Sequence, residues 1–460
     1  MDDLDILRKD IINSDTFCFY PFLELSTRPN GSVLPCCYFD EQTSIAKLER
    51  TSSDNPIENF WNNKKTISIR NDLSQGTPVN GCNICYRDKS ASMRERSIKE
   101  YINNREYLQL IKDTMDNDGV AIHSPKRLEL KPSNLCNLKC FMCNAYDSSQ
   151  IEKELNELGS KYNGIKLFGG RLHEINVGAK GAWTGPVGEY LLPDMSEYNW
   201  AESDEFWQSL TTMLPYIEVL SFAGGEPTVN PIVYKILDHC VKNDYAKNIT
   251  VFISSNFTNL NKKFFELMPR YKKFELIASI DGVGAVQEYV RFPSNWKAVE
   301  SNFQKAKEYM QYPNIKIVLN ITVNILNIAY IVDLLNWIED YADIHPYYKE
   351  WPYNINLLNY PSELKINWVP DDLKSELIED IKLYQTNSQI LKFFPDLKIK
   401  TDLLINELST KTAPNERIEN LKILKHTITV TDTHRKIDYK TAIPFLDQVL
   451  SLGLRNTHPG

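Results

Sequence analysis

Several signatures of common protein classes are missing from this 460-residue chain. There is no Gly-x-Ser-x-Gly, no His-Glu-x-x-His and no Walker motif, which leaves hydrolase and ATPase chemistry without a foundation. The seven histidines form no pair at metal-ligand spacing, and His239, beside Cys240 in a helical run, reads as structural. The most apolar long segment, 315–338, is interrupted by Asn320, Asn324, Asn327 and Asp333, so no membrane span is expected. The start, Met1-Asp2-Asp3-Leu4-Asp5, lacks the basic and apolar regions of a signal peptide, which predicts a cytoplasmic protein with reduced thiols. Positive charge is also short. Fifty-two Lys plus Arg against 60 Asp plus Glu give a formal charge of −8, which argues against nucleic acid as a partner.

What is present is a globular composition, 42% hydrophobic, with nine cysteines in clusters. No cysteine follows Cys240, which excludes a C-terminal thiol-ligated centre. In a reducing compartment, clustered thiols point to metal ligation rather than disulfides. Cys136, Cys140 and Cys143 fall within eight residues, too close to staple a fold but well placed to converge on one metal centre. Three thiols cannot close a four-iron cube. One iron would lack a protein ligand, and an open coordination position is what a catalytic site needs.

The first 125 residues read as a separate small module. Cys18 begins a short apolar run, Pro29-Asn30-Gly31 marks a turn, and Val33-Leu34-Pro35-Cys36-Cys37 follows. Two short strands around a glycine turn are expected, bringing Cys18 and Cys36 together. Gly81-Cys82-Asn83-Ile84-Cys85 supplies a CxxC, and 91–110 reads as one connecting helix. Cys18, Cys36, Cys82 and Cys85 can complete a closed four-thiol site, for iron-sulfur or for zinc. Cys37 is then spare, either a buried neighbour or a hydrogen-atom donor.

From Lys126 to about residue 365 short apolar strands alternate with amphipathic helical runs, which predicts an α/β fold with a parallel sheet. Strands are expected at 127–131, 217–222, 249–254, 274–280, 315–323 and 354–358, with helices near 231–242, 262–268, 296–310 and 329–341. Six strands suggest a partial (β/α)6 TIM-type barrel, with the three-thiol loop at the C-terminal end of its first strand, where such barrels place chemistry. The segment 145–215 is long. Its first barrel helix is expected at 203–213, or alternatively at 148–158, and its glycines, Gly159 to Gly188, suggest a lid or an ordinary surface excursion. Residues 366–460 read as a helical, charged region that closes one side of the barrel.

The second strand ends Ala223-Gly224-Gly225-Glu226-Pro227. Two glycines let a ligand approach backbone groups, and a carboxylate can accept from an ammonium. On the fifth strand Asn320, Thr322 and Asn324 alternate and are expected to face the barrel interior.

Cys136-x3-Cys140-x2-Cys143 resembles the CxxxCxxC signature of the radical S-adenosylmethionine (SAM) superfamily, and Gly224-Gly225-Glu226-Pro227 its GGEP motif. Cys18, Gly31, Cys36 and the Cys82/Cys85 CxxC resemble the auxiliary-cluster motif of SPASM and twitch domains, here N-terminal to the barrel rather than after it. The resemblance covers roughly residues 15–360. It implies a [4Fe-4S] cluster on Cys136, Cys140 and Cys143 whose free iron chelates SAM, and a second, auxiliary [4Fe-4S] cluster on Cys18, Cys36, Cys82 and Cys85. It also implies SAM contacts from Met142, where the family usually has an aromatic residue, and from Gly224, Gly225, Glu226, Ser254, Asn256, Ser279, Asp281 and Arg291. Asn256 is followed by Phe257, where the family usually has glycine.

The activity so implied is reductive cleavage of SAM to a 5′-deoxyadenosyl radical that abstracts hydrogen from a substrate carbon. The expected substrate is a peptide or protein, with dehydrogenation or epimerisation of a sugar or small metabolite as the alternative. A low-potential donor such as flavodoxin or ferredoxin is the expected electron source. A non-catalytic iron-sulfur or zinc protein is a further alternative, against which the GGEP element argues.

Overall fold

The computed structural model describes residues 2–48, 57–87, 92–162, 195–342 and 353–454. Nine strands form one sheet in the order β3-β2-β1-β4-β5-β6-β7-β8-β9. They are β1 (Glu24–Thr27), β2 (Ser32–Leu34), β3 (Ala46–Lys47), β4 (Arg127–Leu130), β5 (Val219–Phe222), β6 (Thr250–Ser255), β7 (Lys273–Ala278), β8 (Ile315–Val323) and β9 (Tyr353–Leu357). From β4 to β9 every neighbouring pair is parallel, which gives the six-stranded partial barrel expected.

Parallel strands are normally covered on both faces and read as unbroken apolar runs. Here β6 and β7 alternate strictly between buried and half-buried residues. Val251, Ile253, Phe274 and Leu276 pack with no exposed surface against helices such as Pro231–Lys242, Lys262–Leu267 and Trp296–Tyr309. The opposite face, including Glu129, Ser221, Ser254, Asn320 and Thr322, keeps partial exposure. The period of two thus builds a helix-covered outside and a polar, open lumen. Helix starts are fixed by side-chain caps: Ser203, Asn230, Asn261 and Asn295 each accept a backbone N–H from the first turn.

The segment set apart at residue 125 is joined to the barrel by backbone pairing. β1 runs parallel to β4 in the register Glu24↔Arg127 and Ser26↔Glu129, while β1 and β2 form the expected hairpin. The turn between them needs glycine. Gly31 has φ +85°, and a Cβ there would lie 2.2 Å from the Leu48 carbonyl oxygen. The single connecting helix expected over 91–110 is instead two helices, Met93–Tyr101 and Arg105–Asp116, because Asn104 caps the second by accepting from Glu106 and Tyr107 N–H.

Both alternatives for the first barrel helix exist as helices, Ser149–Tyr162 and Asp204–Met213. The glycine-rich segment between them, 163–194, lies outside the described residues. The C-terminal region is helical as expected, and Lys398–Ser409 packs on β9, the last strand of the sheet. Among the described residues no helix is long and apolar enough to cross a membrane.

Candidate functional site

β4 ends at Leu130 and the chain enters the loop that carries Cys136, Cys140 and Cys143. The loop is held from beneath by backbone bonds to the segment after β7: Lys139 N–H donates to Phe292 O (2.5 Å) and Phe141 N–H to Val290 O (3.0 Å). Phe141 stacks on Tyr289 at 4.9 Å, and Ser148 Oγ donates to Leu138 O at 2.7 Å. Cys140 is buried, and Cys136 and Cys143 are half-buried. All three line one cleft of about 320 Å³, within the range of small-molecule sites. Burial, reinforced by the negative charge of neighbouring thiolates, pushes the Cys136 thiol up to about 12 and raises Cys143. Cys140 is also raised by burial, with the Arg291 charge pulling it back. Three crowded thiols that resist ionisation alone are a donor set suited to a cationic iron centre, and they leave one position of a four-iron cube free.

The Gly224-Gly225-Glu226-Pro227 turn after β5 lies against this loop. Both glycines have positive φ, +73° and +58°. A Cβ on Gly225 would meet the Leu135 carbonyl oxygen at 2.3 Å, and one on Gly224 would meet Lys131 Cβ at 2.8 Å. Glu226 N–H donates to that same Leu135 oxygen (2.8 Å). The Glu226 carboxylate, expected to meet an ammonium, is already engaged: one oxygen accepts from Thr228 N–H and Oγ1 (3.1 and 2.6 Å) and the other from Asn256 N–H (2.6 Å). Burial raises its pKa and these donors oppose the rise. The side chain therefore ties β5 to β6, and the bared backbone of the two glycines is what the turn offers to a ligand.

Met142, Gly224, Gly225, Glu226, Ser254, Asn256, Ser279 and Arg291 all line the same cleft as the three thiols. Asp281 does not line it. Its carboxylate, 1% exposed, accepts from Arg291 Nε (2.6 Å) and from Thr322 N–H (2.7 Å), so it sits behind the arginine and orients it. Neither Nη of Arg291 has a protein acceptor among the described residues. Asn256 is locked to the thiol loop through Asn137 (2.9 Å). Phe257, at the position where glycine was expected, has φ +60°, is fully buried and lies 6.0 Å from Phe303. The left-handed backbone is kept without glycine because the ring fills the core. Asn324 departs from its expected place in the lumen: it follows the end of β8, is fully buried, and forms a turn with Asn327. Asn320 and Thr322 stay on the partly exposed face.

Lys131, Asn144, Asp147 and Ser255 also line the cleft and were not anticipated. Lys131 shares the face of β4 with Glu129, two residues back, a signal that alternation could have supplied.

Cys18, Cys36, Cys82 and Cys85 line a second, tighter cavity of about 10 Å³ with Phe39, Tyr86 and Arg94. Burial pushes Cys18 up to about 11 and Cys82 up to about 12. Four converging thiols fit a closed four-ligand centre. Cys37 is not among them; its sulfur lies with carboxylates of Glu24 and Glu129, the ligand atoms all within 4.8 Å of one another.

Residues 130–338 match the family model of the radical SAM superfamily. Residues 18–86 match that of the SPASM iron-sulfur cluster-binding domain. The chain therefore carries a radical SAM domain, with a SPASM-type iron-sulfur domain ahead of it. Its cofactors are accordingly a [4Fe-4S] cluster, SAM and auxiliary iron-sulfur. None of the curated proteins matches. Among solved structures, anSMEcpe with bound AdoMet and Cp18Cys peptide is similar at 13% identity and TM-score 0.33, over 57% of this chain and 60% of that one. Streptococcus suis SuiB bound to precursor peptide SuiA is similar at 14% identity and TM-score 0.33, over 72% of this chain and 67% of SuiB. The chain thus spans about 60% of the length of anSMEcpe.

Proposed function

We propose that Cys136, Cys140 and Cys143 hold the SAM-binding [4Fe-4S] cluster, that the adjoining cleft holds SAM, and that the enzyme modifies a peptide or protein. The observation that carries the reading is convergence: three thiols after β4, the glycine turn after β5, Ser254 and Asn256 at β6, and Ser279 and Arg291 after β7 meet in one cleft. When bound, the cluster and SAM supply a 5′-deoxyadenosyl radical that removes hydrogen from a substrate carbon.

The protein's own part is orientation and exclusion. Gly224 and Gly225 present backbone oxygens to the SAM ammonium, and Arg291, fixed by Asp281, presents its free nitrogens to the SAM carboxylate. Met142 offers an apolar, adaptable surface for the adenine. The substrate lies on the lumen face, where the carboxamides of Asn320 and Asn356, bonded to each other at 2.7 Å, match the donors and acceptors of peptide groups. Cys18, Cys36, Cys82 and Cys85 hold the auxiliary cluster, and a flavodoxin- or ferredoxin-type donor supplies electrons.

Anaerobic reconstitution tests this. About eight irons per chain are expected for two cubes, with an electron paramagnetic resonance (EPR) signal of the reduced protein that changes when SAM is added. Iron-replete protein whose spectrum ignores SAM contradicts the assignment.

A further inference from the structure

The long helix Pro414–Arg435 ends against the back of the three-thiol loop. Arg435 donates through Nε and Nη2 to the two carboxylate oxygens of Glu154 at 2.9 and 2.6 Å. Both side chains are essentially excluded from solvent, at 1% and 0% exposure. The guanidinium lies 4.7 Å from the ring centroid of Phe141, the residue between Cys140 and Met142, and 5.3 Å from that of Phe292. Lys139, on the other side of Cys140, reaches the same Glu154 at 3.4 Å. One helical turn back, Asp432 accepts from the hydroxyl of Tyr289 (3.0 Å), the ring on which Phe141 stacks.

Two features exceed what fastening needs. First, two cations, Arg435 and Lys139, share the Glu154 carboxylate, while the other nearby carboxylate, Asp432, is turned to Tyr289 Oη and Tyr439 N–H. Second, Arg435 Nη1 is buried without a hydrogen-bond partner among the described residues. A buried guanidinium is thus held in a dry environment against Phe141, the residue that follows Cys140. Burial would raise Glu154, yet Arg435 and Lys139 hold it below its ordinary value.

We infer that Arg435 is a positioning and tuning residue, through which the C-terminal helix fixes the thiol loop and raises the reduction potential of the cluster it holds. This rests on the cluster assignment above. Reduction adds negative charge to a centre already bearing three thiolates, and a fixed buried cation stabilises the reduced state more than the oxidised one. Glu154 opposes the effect and sets its size.

The test is an EPR-monitored redox titration of the reconstituted full chain, following the signal that responds to SAM, with iron counted in each sample. Arg435→Gln should lower the midpoint, Arg435→Lys should stay near the parent, and Glu154→Gln should raise it. A purely mechanical role would weaken cluster retention in Arg435→Gln and Glu154→Gln alike without opposite shifts, so midpoints that stay put or move together overturn the inference. Should Arg435→Gln lose its iron, the other two decide: a Glu154→Gln midpoint no higher than that of Arg435→Lys overturns it. A parent protein with no SAM-responsive signal overturns the cluster assignment and this inference with it, whereas a signal with unmoved midpoints overturns this inference alone.

Discussion

The chain has two sets of buried and half-buried thiols, four in one and three in the other, and they differ most in what surrounds them. Cys18, Cys36, Cys82 and Cys85 share a cavity of about 10 Å³ walled by Phe39, Tyr86 and Met93. Cys136, Cys140 and Cys143 open onto about 320 Å³ lined by glycine backbone, Ser254, Asn256 and Arg291. In both, burial raises thiol pKa values. On the proposed assignment, four thiols with no room around them suit a centre that stores or passes electrons, and three thiols beside a polar cleft suit one that binds a molecule and acts on it.

Removing a thiol from each set tests the comparison most severely. Cys136→Ala should lose about four irons per chain and with them the SAM-responsive EPR signal. Cys82→Ala should lose a similar amount of iron yet retain that signal, with product formation falling far more than uncoupled SAM cleavage. Equal effects of the two substitutions on SAM cleavage would erase the distinction.

The cleft wall gives a smaller effect. Arg291→Lys keeps the charge but loses the planar fork, and with a charged hydrogen bond contributing about 1.5–3 kcal/mol, SAM affinity measured by calorimetry should fall roughly 10- to 150-fold. Phe257→Gly separates strain from packing. Left-handed backbone costs a non-glycine residue about 1–2 kcal/mol and truncating a buried Phe costs about 3–5 kcal/mol, so denaturant unfolding should show a net loss of about 1–4 kcal/mol. A gain would mean that strain dominates.

The smallest effect is in pH. Burial raises Asp432 to about 6 from an ordinary 3.8, against the donors Tyr439 N–H and Tyr289 Oη. A raised carboxyl favours the protonated fold, so its contribution to stability is greatest below about pH 4 and is lost as pH rises through about 6. Asp432→Asn should flatten that part of the stability profile, which equilibrium unfolding across pH 4–7 would show.

Much of this was legible along the chain, because the relevant spacings are local. Cys136, Cys140 and Cys143 sit within one loop, and β8 spans the expected 315–323. What escaped detection depends on contacts between distant segments. β1 joins the sheet through β4, about a hundred residues on. Asp281 is spent on Arg291, which is decided by how the loop folds back after β7. The C-terminal helix looked featureless, yet Arg435 meets Glu154 across 281 residues. Nothing in its charged surroundings marked that arginine as buried.

The central claim is that the three-thiol loop and its cleft together cleave SAM. The most direct measurement is dithionite-driven turnover of the reconstituted protein with SAM, following 5′-deoxyadenosine and methionine. The prediction is that both form in equal amounts, that Cys82→Ala retains this uncoupled cleavage, and that Cys136→Ala abolishes it. Iron-replete protein that yields no 5′-deoxyadenosine, or undiminished yield from Cys136→Ala, would contradict it.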